Sequence, residues 1–142
     1  MELKFDKNKI MKLSSEIYNA MDRLHSLSEL EKKVFLKDPY KIASAKYFLI
    51  VAIEGTIDMC NHIISMNKLR APEDYADSFK VLGDFGMFTN DFVKKLGEMA
   101  RFRNRLVHIY WEVDDELIYS FINDDIDDIE EFIKKFTDFL NK

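Results

Sequence analysis

The segment between Asp38 and Asn67 is the feature that most constrains the fold. Asp38-Pro39 is a helix-start signal, an acidic N-cap followed by proline at the first helical position. The predicted helix, over residues 39–67, is apolar nearly all round, at Ile42, Tyr47, Phe48, Ile50, Val51, Ile53, Ile57, Ile63 and Ile64. A helix without a wide polar face lies in the middle of a bundle or against a second subunit. We therefore expect an all-α fold and a two-fold homodimer.

The periodic apolar residues on either side predict the rest of a helical bundle. Further helices are expected at about 5–26, 28–37, 73–82 and 90–106, and again after Asp114. Ser28 opens a capping box with Glu31, Thr89 is an N-cap, and Asn123-Asp124 predicts a kink or a fresh cap. Only 4 Gly and 2 Pro argue against a β-sandwich or barrel. The prediction is one domain, residues 1–142, folded as an up-and-down bundle of four main helices plus short ones.

Charge and cysteine content exclude several classes of protein. The chain has 26 acidic and 21 basic residues, a net charge of −5, which excludes a histone-like binder of nucleic acid but leaves room for a small basic site. A single cysteine, Cys60, excludes an intramolecular disulfide and a multi-cysteine metal site. The most apolar run, 47–53, is shorter than the roughly 20 residues of a membrane span, and the first residues lack a signal-peptide core. We expect a cytoplasmic protein with no membrane partner.

The apolar helix carries one polar stripe. Glu54, Asp58, Asn61 and His62 lie at i, i+4, i+7 and i+8, on one helix face. Two carboxylates and an imidazole left dry and unpaired would cost several kcal/mol, so they must face solvent, a cleft or positive partners. A solvated face is the simplest interpretation. A metal site is the weaker one, because no cysteine or second such stripe accompanies it.

The segment 101–111 holds the densest group of side chains suited to chemistry. Arg101, Arg103 and Arg105 are followed by His108, and then by a tyrosine and the sole tryptophan. Arginine forks suit phosphate oxygens, aromatic faces suit bases, and histidine exchanges a proton near neutral pH. The alternative is a helix end whose arginines pair with acids and whose rings pack in the core. The acidic run 124–131 predicts a solvated helix face, since it lacks the pattern of a calcium loop. No phosphate-binding glycine loop or two-histidine zinc helix is found, so neither a cofactor nor a metal is expected.

The residues Arg103 to Tyr110 resemble a family motif. RNRLVHIY fits the Arg-x4-His-x-Tyr pattern of HepT-like proteins in the HEPN superfamily, with the usual polar residue, Asn104, after the arginine. The segment AIEGTIDMCNHII is similar to the central helix of that family. The resemblance implies an all-α homodimer whose motifs face each other across the two-fold axis. It also implies a toxin whose partner is an MntA-type minimal nucleotidyltransferase, and many such toxins are metal-independent ribonucleases.

The resemblance assigns roles to individual residues. In cleavage of RNA by its own 2′-hydroxyl, Arg103 would stabilise charge on the phosphoryl oxygens, Asn104 would orient the phosphate or the imidazole, and His108 would move the proton. Tyr110 occupies the position to which the partner transfers AMP in these systems. Glu54 and Asp58 would support Arg103 or His108.

The spacing raises a geometric question about this motif. In a continuous helix, Arg103 and Tyr110 share a face, but His108 lies about 140° from Arg103, at 100° per residue. The two converge only if the helix ends near Val107 or a second copy supplies the partner group. Two other functions stay open: a non-catalytic helical module that docks a nucleotidyltransferase, and a structural bundle in which the segment only packs.

Overall fold

A computed structural model describes residues 2–142, and this part of the chain folds into seven α-helices without a strand. They are α1 (Lys7–Ser28), α2 (Lys32–Leu36), α3 (Pro39–Met66), α4 (Tyr75–Gly83), α5 (Asn90–His108), α6 (Asp115–Ser120) and α7 (Asp127–Leu140). A 3-10 turn, Tyr110–Glu112, follows α5, and a π-helical turn, Phe121–Asp125, joins α6 to α7. The all-α prediction is confirmed, with four long helices and three short ones.

The long helices alternate in direction. Between α1 and α3, Asp6 contacts His62 and Ile17 lies against Gly55. Between α3 and α5, Lys46 contacts Tyr110 and Glu54 contacts Arg103. Between α5 and the C-terminal helices, Phe92 contacts Lys135 and Phe102 contacts Phe121. Each long segment therefore returns antiparallel to the one before it. This is the up-and-down arrangement expected when short connections join amphipathic helices.

Helix α3 lies in the middle of the bundle, as its composition predicts. Helices α1, α4, α5 and α7 all pack on it, and Leu49, Ile53 and Ile63 are fully buried. Within residues 2–142, α3 is the one helix long and apolar enough to cross a membrane by length and composition. However, 56% of its most apolar window is buried inside the bundle. That burial is the pattern of a core helix.

Several helix starts are confirmed, and one is wrong. The Asp38 carboxylate accepts hydrogen bonds from the backbone N–H groups of Tyr40 and Lys41, and the Thr89 hydroxyl accepts one from Phe92. Ser28, by contrast, is the last residue of α1, and its hydroxyl donates to the carbonyl of His25. Because α1 continues through Ser28, the residue before α2 is Glu31 instead, and α2 begins without a side-chain cap.

A π-helical turn lies where Asn123-Asp124 predicts a kink or a fresh cap. Such turns are a known cause of helix bending. Asn123 donates from its side chain to the carbonyl of Tyr119, and Phe121 stacks on Phe102 of α5 with ring centroids 4.6 Å apart. The turn therefore seats Phe121 and the buried Ile122 against the core.

Candidate active site at the end of α5

Arg103 is held by two side chains. Its Nε donates to Glu54 Oε1 at 3.0 Å, and a terminal nitrogen donates to the same oxygen. The other terminal nitrogen, NH1, donates to Asn104 Oδ1 at 3.0 Å. Only 12% of the Arg103 side chain is exposed, against 40% for Glu54. The antiparallel packing of α3 on α5 thus positions the first arginine of the motif.

Asn104 contacts Arg103 and lies one helical turn before His108. Arginine carries only hydrogen-bond donors, so Arg103 fixes Asn104 with its oxygen towards the guanidinium. One helical turn later, His108 lies on the same face of α5, and both residues line a cavity of about 450 Å³. His108 is exposed there.

Arg103 and His108 do not converge within one protomer. Helix α5 continues through His108, so the two side chains leave the axis about 140° apart. The helix ends one residue beyond Val107, but His108 is still helical, so this end does not turn His108 towards Arg103. Arg103 instead lines a neighbouring groove of about 130 Å³ with Glu54 and Asp58.

Tyr110 does not share a face with Arg103. Ile109, at φ −131° and ψ 42°, leaves the helical conformation, so the rotation of α5 is not carried on to Tyr110. The Tyr110 ring lies 4.4 Å from the Nζ of Lys46, measured to the ring centroid, and packs edge-on against Trp111. Lys46 is only 6% exposed and also donates to the Tyr110 carbonyl at 3.1 Å. Tyr110 is thus a half-buried ring beside a fixed positive charge.

The residues of the polar stripe of α3 contact different partners. Beyond Glu54, Asn61 accepts from the hydroxyl of Ser78, and His62 accepts from the backbone of Asp6. Asp58 has no hydrogen bond to Arg103 or His108 in the part of the chain described. Burial, and next the charge of Glu54, raise the pKa of the Asp58 carboxyl. The stripe is therefore neither one solvated face nor one ligand set.

Tyr75 is a site residue that the sequence analysis missed. It begins α4, just after the Asp74 N-cap, and its ring lies 4.9 Å from the Arg103 guanidinium carbon, measured to the ring centroid. Tyr75 lines both the small Arg103 groove and the larger cavity with Asn104 and His108. The only sequence signal is an aromatic residue in an otherwise polar loop-to-helix junction after Pro72.

The acidic run faces the remaining arginines. Asp125 and Asp128, with Arg101 and Arg105, line a groove of about 500 Å³ between α5 and the C-terminal helices. Burial is the main cause that raises the pKa of both carboxyls. Five of the six acids are exposed and Asp128 is half-buried, so the run is largely the solvated face that its sequence predicts, and part of it borders this groove.

Metal-ligating side chains are not grouped at the motif. Within residues 2–142, the one group of three side chains close enough to share an ion is His25, Asp127 and Glu130. It lies on α1 and α7, away from Arg103. His25 and Glu130 already contact each other at 2.8 Å.

Comparison with known proteins places the chain among relatives of one kind. A candidate RNase from Archaeoglobus fulgidus is 28% identical over 119 residues, 84% of this chain and 88% of the relative. The mRNA nuclease HepT of Shewanella oneidensis is 31% identical over 80 residues, 56% of this chain and 60% of the relative. A solved structure of a tri-AMPylated Shewanella oneidensis HEPN toxin in complex with an MNT antitoxin has the same fold. It aligns at a TM-score of 0.85 and 24% identity, over 94% of this chain and 99% of that one.

The family assignment covers most of the chain. Residues 17–136 match the family model described as ribonuclease HepT-like, and this range contains α3, α5 and the whole Arg-x4-His-x-Tyr motif. The chain is therefore a member of the HepT-like ribonuclease family.

Proposed function

We propose that this protein is the toxin of a type VII (HEPN/MNT) toxin–antitoxin system, an endoribonuclease acting in the cytoplasm. The observation that carries the proposal is the arrangement at the end of α5. There, Asn104 both binds Arg103 and shares an open cavity with His108. The nuclease names of the relatives support the same reaction class.

The reaction we propose is attack of a ribose 2′-hydroxyl on the adjacent phosphorus. The new 2′-O–P bond forms as the bond to the 5′ oxygen breaks, leaving a cyclic phosphate and a 5′-hydroxyl. His108 accepts the 2′ proton or donates one to the leaving oxygen. Arg103 stabilises the charge on the phosphoryl oxygens, and Asn104 orients the phosphate. Glu54 positions Arg103, and the charge of Asp58 also acts on Arg103.

The cleft we propose is built by two subunits. Arg103 and His108 diverge on one protomer, so a homodimer with facing α5 ends would bring the arginine of one copy to the histidine of the other. Each two-fold cleft then contains two copies of the motif.

This reaction uses no metal ion. Proton transfer falls to His108 and charge stabilisation to Arg103, while Glu54, the carboxylate nearest the motif, is engaged by Arg103. Cleavage of RNA in excess chelator tests the function directly. We expect activity to persist there and to weaken as salt rises, because the phosphate contacts rest on few arginines.

Two variants and one control identify the groups involved. His108→Ala should lower the cleavage rate about 10²–10⁴-fold with the melting temperature unchanged. Arg103→Ala should cost about 10²–10³-fold, and Arg101→Ala, an exposed arginine of the same helix, much less. Equal losses at both arginines would indicate generic charge. A folded wild-type chain that never cuts RNA would favour the module that only docks a nucleotidyltransferase.

We further propose that an MntA-like nucleotidyltransferase silences the toxin by transferring AMP to Tyr110. The phenol oxygen attacks the α-phosphorus of ATP, and pyrophosphate leaves. The added phosphodiester then lies near Lys46 and competes with RNA for positive charge.

The AMP transfer is tested by co-expression with an MntA-like nucleotidyltransferase and measurement of intact mass. Wild type should gain whole AMP units and lose activity, whereas Tyr110→Phe should gain none there and still cut RNA. Inhibition of an unmodified wild-type chain would instead indicate occlusion by the partner.

A further inference from the structure

The cavity between α4 and α5 has a composition that the cleavage chemistry does not explain. It is lined by Asn61, Pro72, Glu73, Asp74, Tyr75, Ser78, Asn104 and His108. Its volume of about 450 Å³ lies within the usual range for small-molecule sites. No lysine or arginine is among these residues, and two carboxylates are. A phosphate group would therefore be repelled beside Glu73 and Asp74, whereas Asn104 and His108 of the motif border the same cavity.

Tyr75 gives the cavity an aromatic wall. Its side chain is 44% exposed, and the Arg103 guanidinium lies over the ring from the side of the small groove. Arg103 does not line the larger cavity, so the part of Tyr75 that borders this cavity is not covered by the guanidinium. A planar, uncharged ligand can stack there, as bases do on aromatic side chains of proteins that bind single strands.

The polar groups of the cavity are fixed and of both kinds. Arg103 holds the oxygen of Asn104, and Ser78 holds the oxygen of Asn61 at 2.8 Å. Each carboxamide keeps an amino group as a donor, and the carboxylates of Glu73 and Asp74 are acceptors. The edge of a nucleobase likewise carries both donors and acceptors, whereas a phosphate carries acceptors alone.

The wall that carries these groups is formed in the free protein. Arg70 donates two hydrogen bonds to the Asp77 carboxylate, at 2.6 and 3.1 Å, and the same carboxylate accepts the backbone N–H of Glu73 at 2.9 Å. Asp74 caps α4 through the N–H of Asp77. The segment from Pro72 to Tyr75 is therefore fastened before any ligand binds.

We propose that this cavity binds one nucleobase of the RNA substrate, stacked on Tyr75 beside the cleavage motif. The inference rests on the proposed ribonuclease function and adds to it a substrate subsite. The base enters between α4 and α5, and the attached ribose and phosphate extend past Asn104 towards the motif. Recognition is of the base, while Arg103 and His108 act on the backbone.

The test measures coupling between Tyr75 and single bases. A short 2′-O-methyl oligonucleotide cannot undergo 2′ attack, so its dissociation constant is measured by fluorescence anisotropy without cleavage. Abasic sites are then placed at each position in turn. For wild type, one position should raise Kd about tenfold. For Tyr75→Leu, the intact strand should bind about tenfold more weakly, and an abasic site at that position should cost nothing further.

Matched variants separate stacking from folding. Tyr75→Phe keeps the ring and should keep both the affinity and the sensitivity to the abasic site. Tyr18→Leu on α1 removes a tyrosine of similar exposure, 48%, that does not line the cavity, and it should behave as wild type. Melting temperatures should match throughout.

The outcomes distinguish this subsite from the proposed function. If Tyr75→Leu and every abasic site each weaken binding by amounts that simply add, the base subsite is overturned. That conclusion holds even if the matching all-ribose strand is cut in excess chelator. If the effect of Tyr75→Leu disappears when one particular base is removed, but the all-ribose strand is never cut, the base subsite is supported and the proposed ribonuclease function is overturned.

Discussion

His62 shows how one residue fastens the ends of two helices. Its Nε2 accepts the backbone N–H of Asp6 at 2.8 Å, so the start of α1 is tied to the last turns of α3. The acceptor role requires a neutral imidazole nitrogen. Burial is the main cause that lowers the pKa of His62 below its usual 6.5, and the charge of Lys9 adds to it. The contact is therefore a structural one that depends on pH.

The first prediction at this scale concerns acid. Because the folded state binds this proton less readily than the unfolded state, the stabilisation is fully present above about pH 6.5 and is lost as the pH falls below that value and through the lower pKa of the folded state. Chemical denaturation of wild type and His62→Asn at a series of pH values measures it. The difference between their free energies of unfolding should shrink with acid, by less than about 1.4 kcal/mol per pH unit.

A comparison of the two proteins isolates His62 from other groups. The raised pKa values of Asp58, Asp125 and Asp128 give the opposite dependence at lower pH, and they are present in both proteins. Parallel curves for wild type and His62→Asn would contradict the prediction.

Helices α1 and α3 approach each other closely at a glycine. A Cβ at Gly55 would lie 2.5 Å from Cγ1 of Ile17, a side chain with no exposed surface. Gly97 of α5 is also inside a helix, but a Cβ there would meet nothing nearer than 3.5 Å. Close packing therefore requires a glycine at position 55, whereas there is space for a Cβ at position 97.

The second prediction contrasts these glycines. Gly55→Ala should destabilise the protein by about 1–3 kcal/mol, because Ile17 must shift inside a packed core. Gly97→Ala should stabilise it by up to about 1 kcal/mol through helix propensity. Urea denaturation measures both, and effects of the same sign would refute the close-approach argument.

Sequence patterns predicted those elements whose signals are local. The acidic cap at Asp38 and the hydroxyl cap at Thr89 act on backbone groups two or three residues away, so spacing alone located them. The capping box predicted at Ser28 is wrong because a serine between two adjacent helices can end the first or begin the second, and here it ends α1. Glu54 and Arg103 lie 49 residues apart, and their contact depends on how α3 packs against α5. For the same reason, no sequence pattern places Tyr75 on Arg103.

At the scale of the whole molecule, one chain covers most of its central helix. The other helices of the same chain bury much of α3, but Phe48, Ile50 and Val51 are only half-buried, so part of its apolar circumference stays uncovered within one chain. Large exposed side chains remain at Tyr40, Tyr47 and Trp111, which are 86%, 60% and 89% exposed. The stronger reason for a dimer is the divergence of Arg103 and His108.

The last prediction is that the protein is a dimer whose dissociation abolishes activity. Sedimentation at micromolar concentration should give twice the chain mass of 16.8 kDa. On dilution, the cleavage rate per chain should fall in step with the dimer fraction. A monomer that cuts RNA at full rate would exclude the composite cleft.

The hydrogen bonds that hold Arg103 to Glu54 and Asn104 have a thermodynamic consequence. A free arginine side chain loses about 2 kcal/mol of rotamer entropy when it is immobilised. Here Glu54 and Asn104 impose that loss during folding, so little of it is left for the moment of RNA association. Glu54→Ala would transfer the ordering step to the bound complex. Titration calorimetry should then report a less favourable binding entropy for the variant.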